Sequence, residues 1–325
     1  MHATASTQYS TPPRIALKVD VDTLRGTELG VPRLTELLGR FAAGATFLFS
    51  LGPDHTGRAI KRVLRPGFLQ EVGRTSVLKN YGLKTLLYGA LLPGPDIGKR
   101  CADTLRMVRD RGFETGIHTW DHVKWQDGVT SADARWTMHE MQRAVERFES
   151  IFGAPPRVHG AAGWQMNVHS YRLTQRLGFD YCSDTRGFHP YIPIVNAEIV
   201  ACPQIPTTLP TFDELIGLDG NDASNVAAKI VRIAAETSAP AGHVFTLHAE
   251  LAGMQLLPAF EQLLRAWRGT GIELISLGGL LAASGTDRLP RHRTTIGTVA
   301  GRSGSVALQG PEFLPRLQHP PLRLT

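Results

Sequence analysis

Cysteine is scarce in this chain. Cys101, Cys182 and Cys202 are three in 325 residues, an odd number with no Cys-x-x-Cys spacing. That argues against a disulfide framework and favours a reducing compartment. Long apolar runs are missing too: no stretch approaches the roughly 18–20 uninterrupted apolar residues of a membrane span. The opening residues, MHATASTQYSTPPR, are polar and hold no apolar core, so no secretory signal is expected. No Gly-x-Gly-x-x-Gly follows the first expected strand, which removes the main support for dinucleotide binding. Internal repeats and a convincing linker are also lacking. These absences point to a soluble or peripheral protein without a nucleotide cofactor.

The chain has an ordinary globular composition, 42% hydrophobic and 20% charged, with a net charge of +6 and a pI near 9.4. The basicity is local. Residues 58–84 carry seven Lys and Arg against Glu71, and residues 284–325 carry six Arg against Asp287 and Glu312. The rest of the chain is therefore net acidic, and the two basic regions suggest an anionic surface as partner. The segment Ser76 to Pro93 is apolar, with Tyr81, Tyr88 and two Lys. It reads either as a buried helix or hairpin or as an interfacial segment docking on anionic lipid.

Strand and helix patterns alternate along the sequence. Residues 1–13 read as a disordered leader. Strands are expected at 14–21, 45–51, 112–117, 179–182, 199–205, 243–247 and 272–275, with helices between them, notably at 31–40, 96–111, 132–152, 225–237 and 259–267. This β-then-α alternation predicts one α/β domain over residues 14–284, with 58–93 as a possible membrane-docking insertion and 285–325 as a basic, irregular tail. Charged and His residues fall at the ends of several strands, which favours a closed or distorted barrel over an open sheet.

The residues suited to chemistry lie at three such ends. Asp20 and Asp22 close the first strand, and their spacing lets both carboxylates face one site. His118-Thr-Trp-Asp-His122 follows the buried stretch GFETGI, a spacing that puts two imidazoles on one side of a helical turn. His248 closes the strand HVFTL. Each admits a plainer reading: Asx turn-formers for the aspartates, a core histidine for His248. Together they offer one carboxylate and two imidazoles for a divalent cation, a second carboxylate as general base and a late histidine as general acid. Amide hydrolysis requires these parts.

The series Asp20-Val-Asp22, His118-Thr-Trp-Asp-His122 and Leu247-His248 resembles the polysaccharide deacetylase (NodB-homology) superfamily of metal-dependent amidases. The resemblance implies a distorted (β/α)7-type barrel. It makes Asp20 the base, Asp22, His118 and His122 the ligands of one divalent metal (Zn, Mn, Co, Ni or Fe), and His248 the acid. More narrowly, VDVDTLRGTELGVPRL (19–34), FSLGPDHTGR (49–58), GIHTWDHVKWQ (116–126), AAGW (161–164), SDTRG (183–187), QIPTTLPTFDE (204–214) and TLHAE (246–250) resemble its deformylase branch. That branch acts on undecaprenyl-phosphate-linked 4-deoxy-4-formamido-L-arabinose, on the cytoplasmic face of the inner membrane, in lipid A modification.

One departure stands out. Many superfamily members have an Arg-x-Pro-Tyr-type motif whose Arg orients the base, but this chain has Ala161-Ala162-Gly163-Trp164. Arg25 or Arg186 is a candidate for that role or for the substrate phosphate. Asp184 or Glu250 is a candidate to orient His248, and Trp164 is a candidate packing wall for the sugar. Two other functions stay open on sequence: deacetylation of another N-acylated sugar or polysaccharide, and non-catalytic binding of lipid or glycan on the same fold.

Overall fold

The computed structural model describes residues 13–59 and 85–314. Residues 1–12 of the expected leader (1–13), 60–84 of the basic stretch (58–84) and the last residues from 315 lie outside them, and so does most of the proposed docking insertion (58–93).

The strands in chain order are β1 (Arg14–Val21), β2 (Thr46–Ser50), β3 (Glu114–Thr119), β4 (Val158–His159), β5 (Tyr181–Cys182), β6 (Ile192–Val195), β7 (Glu198–Ile199), β8 (His243–His248), β9 (Glu273–Ile275), β10 (Arg291–Gly297) and β11 (Val306–Glu312). The longer helices are α1 (Val31–Arg40), α2 (Ala102–Asp110), α3 (His122–Gly128), α4 (Ala134–Phe152), α5 (Val168–Arg176), α6 (Val226–Glu236), α7 (Leu257–Gly269) and α8 (Leu277–Ser284). Each helix buries one stripe. Along α4 that stripe is Thr137, Glu140, Met141, Ala144, Phe148, Ile151 and Phe152, a spacing of three and four residues. Asp133 caps its start, and Gly153, at φ 72, ends it in the left-handed region.

Seven strands form one parallel sheet in the order β5-β4-β3-β2-β1-β8, with β9 on the start of β1. β1 is central and buried on both faces, its charged residues Lys18 and Asp20 included. The sheet curls but does not close by strand pairing. An extended segment, residues 204–209, crosses from β5 to β8. Ile205 N–H donates to Cys182 O (2.7 Å), Thr207 N–H to Thr185 O (3.0 Å) and Leu209 N–H to Val244 O (3.1 Å). The Thr207 and Thr246 hydroxyls meet at 2.7 Å. The fold is thus a distorted, partly open barrel in a single domain, and this irregular segment satisfies its exposed edges. The strand expected at 199–205 is instead the end of β7 followed by that crossing. The helix expected at 96–111 breaks at Cys101 into two pieces.

The expectation of an irregular C-terminal tail is corrected. Residues 291–312 form a hairpin that joins β6 and β7 in a second, four-stranded sheet, order β11-β10-β6-β7. Its short strands are completed by partners about a hundred residues away, and Arg, Gly and Pro dilute the period-two pattern that would have marked them.

Candidate active site

The site lies where β1, β3 and β8 end. Asp20 sits in register with His248 on β8 and Leu48 on β2, so the first acid and the late histidine are neighbours across one strand pair. His118 lies in an irregularity of β3: Phe49 pairs with Ile117 and Ser50 with Thr119, so the ladder skips His118. Such a bulge re-aims a side chain at a strand end. His122 is the first residue of α3, whose cap Asp121 accepts a hydrogen bond from Lys124 N–H. The two histidines therefore do not share a helical turn, as the spacing had suggested. One is on a bulged strand and the other opens the next helix, yet their rings stack with centroids 5.3 Å apart.

Asp22, His118 and His122 converge, with one ligand atom from each within 4.8 Å of the others. His118 Nε2 is 3.2 Å from Asp22 Oδ1, and His122 Nε2 is 3.5 Å from Asp22 Oδ2. His118 Nδ1–H donates to Gly160 O at 2.6 Å, which leaves the Nε2 lone pair aimed at the cluster. Asp22 Oδ1 is buried and accepts no well-aligned hydrogen bond. Two imidazole lone pairs and an orphaned carboxylate oxygen meeting at one point fit a divalent cation, and this donor set suits Zn, Mn, Co, Ni or Fe. Burial alone would raise the Asp22 carboxyl, but His122, His118 and His248 outweigh it and hold it well below the usual range. Burial lowers His118, and the charges of Asp20 and Asp22 overcome that to raise it.

Asp20 is almost fully buried, and its Oδ1 has no hydrogen-bond partner. Oδ2 lies 3.4 Å from Lys18 Nζ. Lys18 is completely buried and also donates to Ser183 O at 2.8 Å. This lysine was missed in the sequence, although Lys18 and Asp20 alternate on one face of β1 and Asp22 continues that spacing just past its end. His248 Nδ1–H donates to Asp213 Oδ1 at 3.1 Å. Burial pulls His248 down, but Asp213, then Asp22 and Asp20, raise it to about 10. Asp213 is held low: the same pairing, with a contribution from Arg302, outweighs its burial.

The remaining sequence candidates have other partners. Asp184 does not reach His248. It accepts from His159 Nδ1–H (2.8 Å), Ala161 N–H (2.8 Å) and Gln204 Nε2 (2.8 Å), a satisfied core network. His159, Cys182 and Asp184 also converge closely enough for a metal, but those hydrogen bonds already occupy the carboxylate. Glu250 does not orient His248 either. Its Oε1 accepts from Asp22 N–H (2.9 Å), Thr23 N–H (2.7 Å) and Thr23 Oγ1 (2.9 Å), so it fixes the loop that carries Asp22. Burial, and then Asp22, raise Glu250 to about 7. Arg186 is tied to Glu214 Oε1 (2.7 Å) and Leu209 O (3.0 Å), and no hydrogen bond or ion pair joins Arg25 to Asp20 among the described residues. Trp164 is buried in the left-handed region (φ 53), a strained conformation for a bulky residue. Its Nε1–H donates to Thr207 Oγ1 (3.2 Å), and its ring meets that of His248 edge-on at 6.3 Å.

Comparison with known proteins identifies the family. The polysaccharide deacetylase family model matches residues 30–182, a span that holds the histidine pair but neither the acids of β1 nor His248. A Shewanella sediminis protein is 39% identical over 82% of this chain and 86% of its own length. A Wigglesworthia glossinidia brevipalpis protein is 31% identical over 87% of this chain and 98% of its own. Both are assigned as 4-deoxy-4-formamido-L-arabinose-phosphoundecaprenol deformylases. A Mycobacterium smegmatis crystal structure, assigned to the polysaccharide deacetylases, shares the fold at TM-score 0.59 and 15% identity, covering 92% of this chain and 99% of its own. The chain belongs to the polysaccharide deacetylase (NodB-homology) family and is a hydrolase of linear amide C–N bonds.

Proposed function

We propose that the protein removes formate from undecaprenyl-phosphate-linked 4-deoxy-4-formamido-L-arabinose, exposing an amine that later modifies lipid A. The names of the two relatives above support this substrate, and the residues gathered at one barrel mouth support this reaction. The observation that carries the reading is the Asp22–His118–His122 cluster, set beside Asp20, whose Oδ1 has no hydrogen-bond partner, and His248, whose Nδ1 is held by Asp213.

Asp22, His118 and His122 would hold one divalent metal, which when bound polarises an amide carbonyl and makes water a nucleophile near neutral pH. Asp20 is the general base: its bare Oδ1 takes the proton from the attacking water, while Lys18 holds Oδ2 in place. His248 is the general acid. Asp213 fixes Nδ1–H, so the proton delivered to the departing amine comes from Nε2. Glu250 keeps Asp22 oriented through the backbone hydrogen bonds it accepts. Trp164 forms one wall of the sugar site.

A lipid-linked substrate keeps the enzyme at a membrane surface, peripherally, on the inner face of the inner membrane. No helix among the described residues is long and apolar enough to cross a membrane. Leu91 is 80% exposed and Leu92 40%, at the described end of the apolar segment noted above. They are the side chains we assign to lipid contact.

Matched formamido and acetamido forms of the short-chain sugar phosphate test the reading. Formate release at least tenfold faster than acetate release is expected. Faster acetate release would make the enzyme a deacetylase of another sugar.

A further inference from the structure

Three cations surround the indole of Trp164. Lys18 Nζ lies 5.2 Å from the ring centroid, the Arg186 guanidinium carbon 5.1 Å and that of Arg302 4.7 Å. Two of them are balanced, Lys18 by Asp20 and Arg186 by Glu214. Arg302 is not. It forms no ion pair or side-chain hydrogen bond among the described residues, and its Nε is buried without an acceptor. A buried donor left unmet in the protein calls for an acceptor from elsewhere.

The turn between β10 and β11 holds Arg302 in this position. Gly301 is in the left-handed region (φ 81), and a Cβ there would stand 1.9 Å from Glu214 O. The turn thus presses on the segment that supplies Asp213 to His248 and Glu214 to Arg186. β11 is pinned beside Arg186: Arg186 N–H donates to Ala307 O (2.9 Å) and Gln309 N–H to Arg186 O (2.8 Å). On its other side, an Arg302 terminal nitrogen lies 3.1 Å from where a Cβ on Gly163 would be. One indole therefore has His248 at its edge and, over its face, a guanidinium whose Nε has no acceptor among the described residues.

We infer that Arg302 binds an anionic oxygen group of the substrate, the phosphate of a glycosyl phosphate, at the opposite end of the sugar from the reacting amide. This rests on the proposed function, in which phosphate and formamido groups hang from opposite ends of one six-membered ring. A guanidinium presents a planar fork of donors that matches a phosphate, and stacking on Trp164 fixes its plane. The C-terminal hairpin then serves to carry a specificity residue into a barrel built by the rest of the chain.

Binding tests this without turnover. L-arabinose 1-phosphate and methyl L-arabinoside would be titrated calorimetrically into the full chain, as wild type, Arg302→Ala, Arg302→Gln and Arg302→Lys. The wild type is expected to bind the phosphate at least tenfold more tightly than the glycoside. Arg302→Ala and Arg302→Gln should lose that preference, Arg302→Lys should keep part of it, and glycoside affinity should be the same in all four. Should Arg302→Ala fail to fold, Arg302→Gln makes the same comparison. The assignment is overturned if the wild type shows no preference, if the neutral variants retain it, or if both ligands weaken alike, which would make Arg302 a support for Trp164. Phosphate binding through Arg302 without formate release would leave this site standing and overturn the proposed reaction instead.

Discussion

Lys18 Nζ lies 3.4 Å from Asp20 Oδ2, two residues along the same buried strand and on the same face of it. No arginine forms an ion pair or hydrogen bond with Asp20 among the described residues; its cationic partner is this lysine. Removing one partner of a buried pair leaves an uncompensated charge. Lys18→Met should destabilise the fold by about 3–5 kcal/mol and lower kcat/KM by about 10–100-fold, as lost supporting contacts do. Adding Asp20→Asn to Lys18→Met should recover part of the stability, because the stranded carboxylate is gone. Equal and additive losses in chemical denaturation would show that the two groups are not coupled.

The Asp213–His248 pair gives a pH dependence with a definite sign. His248 must carry a proton to act as acid, and its partners raise it to about 10. With His248 as the acid, activity should therefore fall as pH rises through that value. Asp213→Asn removes the nearest of those charges, so the basic limb of kcat/KM should move to lower pH, by about 1–3 pH units. The pair also contributes stability that is fully present below pH 6.5, the ordinary value for His, and is lost as pH rises towards about 10. An unmoved basic limb in Asp213→Asn would remove His248 from the role of proton donor.

Leu91 and Leu92 are apolar side chains left facing solvent. Replacing both with Asp should release the protein from anionic liposomes in a flotation assay, since each buried leucine contributes about 1.5–3 kcal/mol when it leaves water. Hydrolysis of a short-chain, water-soluble substrate should be unchanged. Undiminished liposome binding would assign docking to another surface.

The parallel sheet was legible in the sequence, and Asp20, Asp22, His118, His122 and His248 could be picked out as candidates, because apolar strands ending in Asp or His leave a local signature. What escaped was set by distant contacts. The His118–His122 spacing fitted a helix, but a register irregularity put His118 on β3. Lys18 passed as an ordinary strand residue, although the alternation Lys18, Asp20, Asp22 marked a polar face. Asp213 sits between Thr211 and Glu214, which form a capping box. That motif signals a helix start, and nothing local shows that its middle carboxylate faces a histidine 35 residues later. Arg302 lies in a segment without usable periodicity, whose strands exist through pairing with β6 and Arg186.

Metal-dependent formate release is the most direct test of the central claim, that amide hydrolysis occurs at the Asp22–His118–His122 cluster. Formate would be measured from the short-chain formamido-arabinose phosphate before chelation, after it, and with single divalent metals restored, in wild type and His118→Ala. The account predicts that chelation abolishes release and that at least one metal restores it in the wild type but not in His118→Ala. Undiminished release after exhaustive chelation, or full activity in His118→Ala, would contradict it.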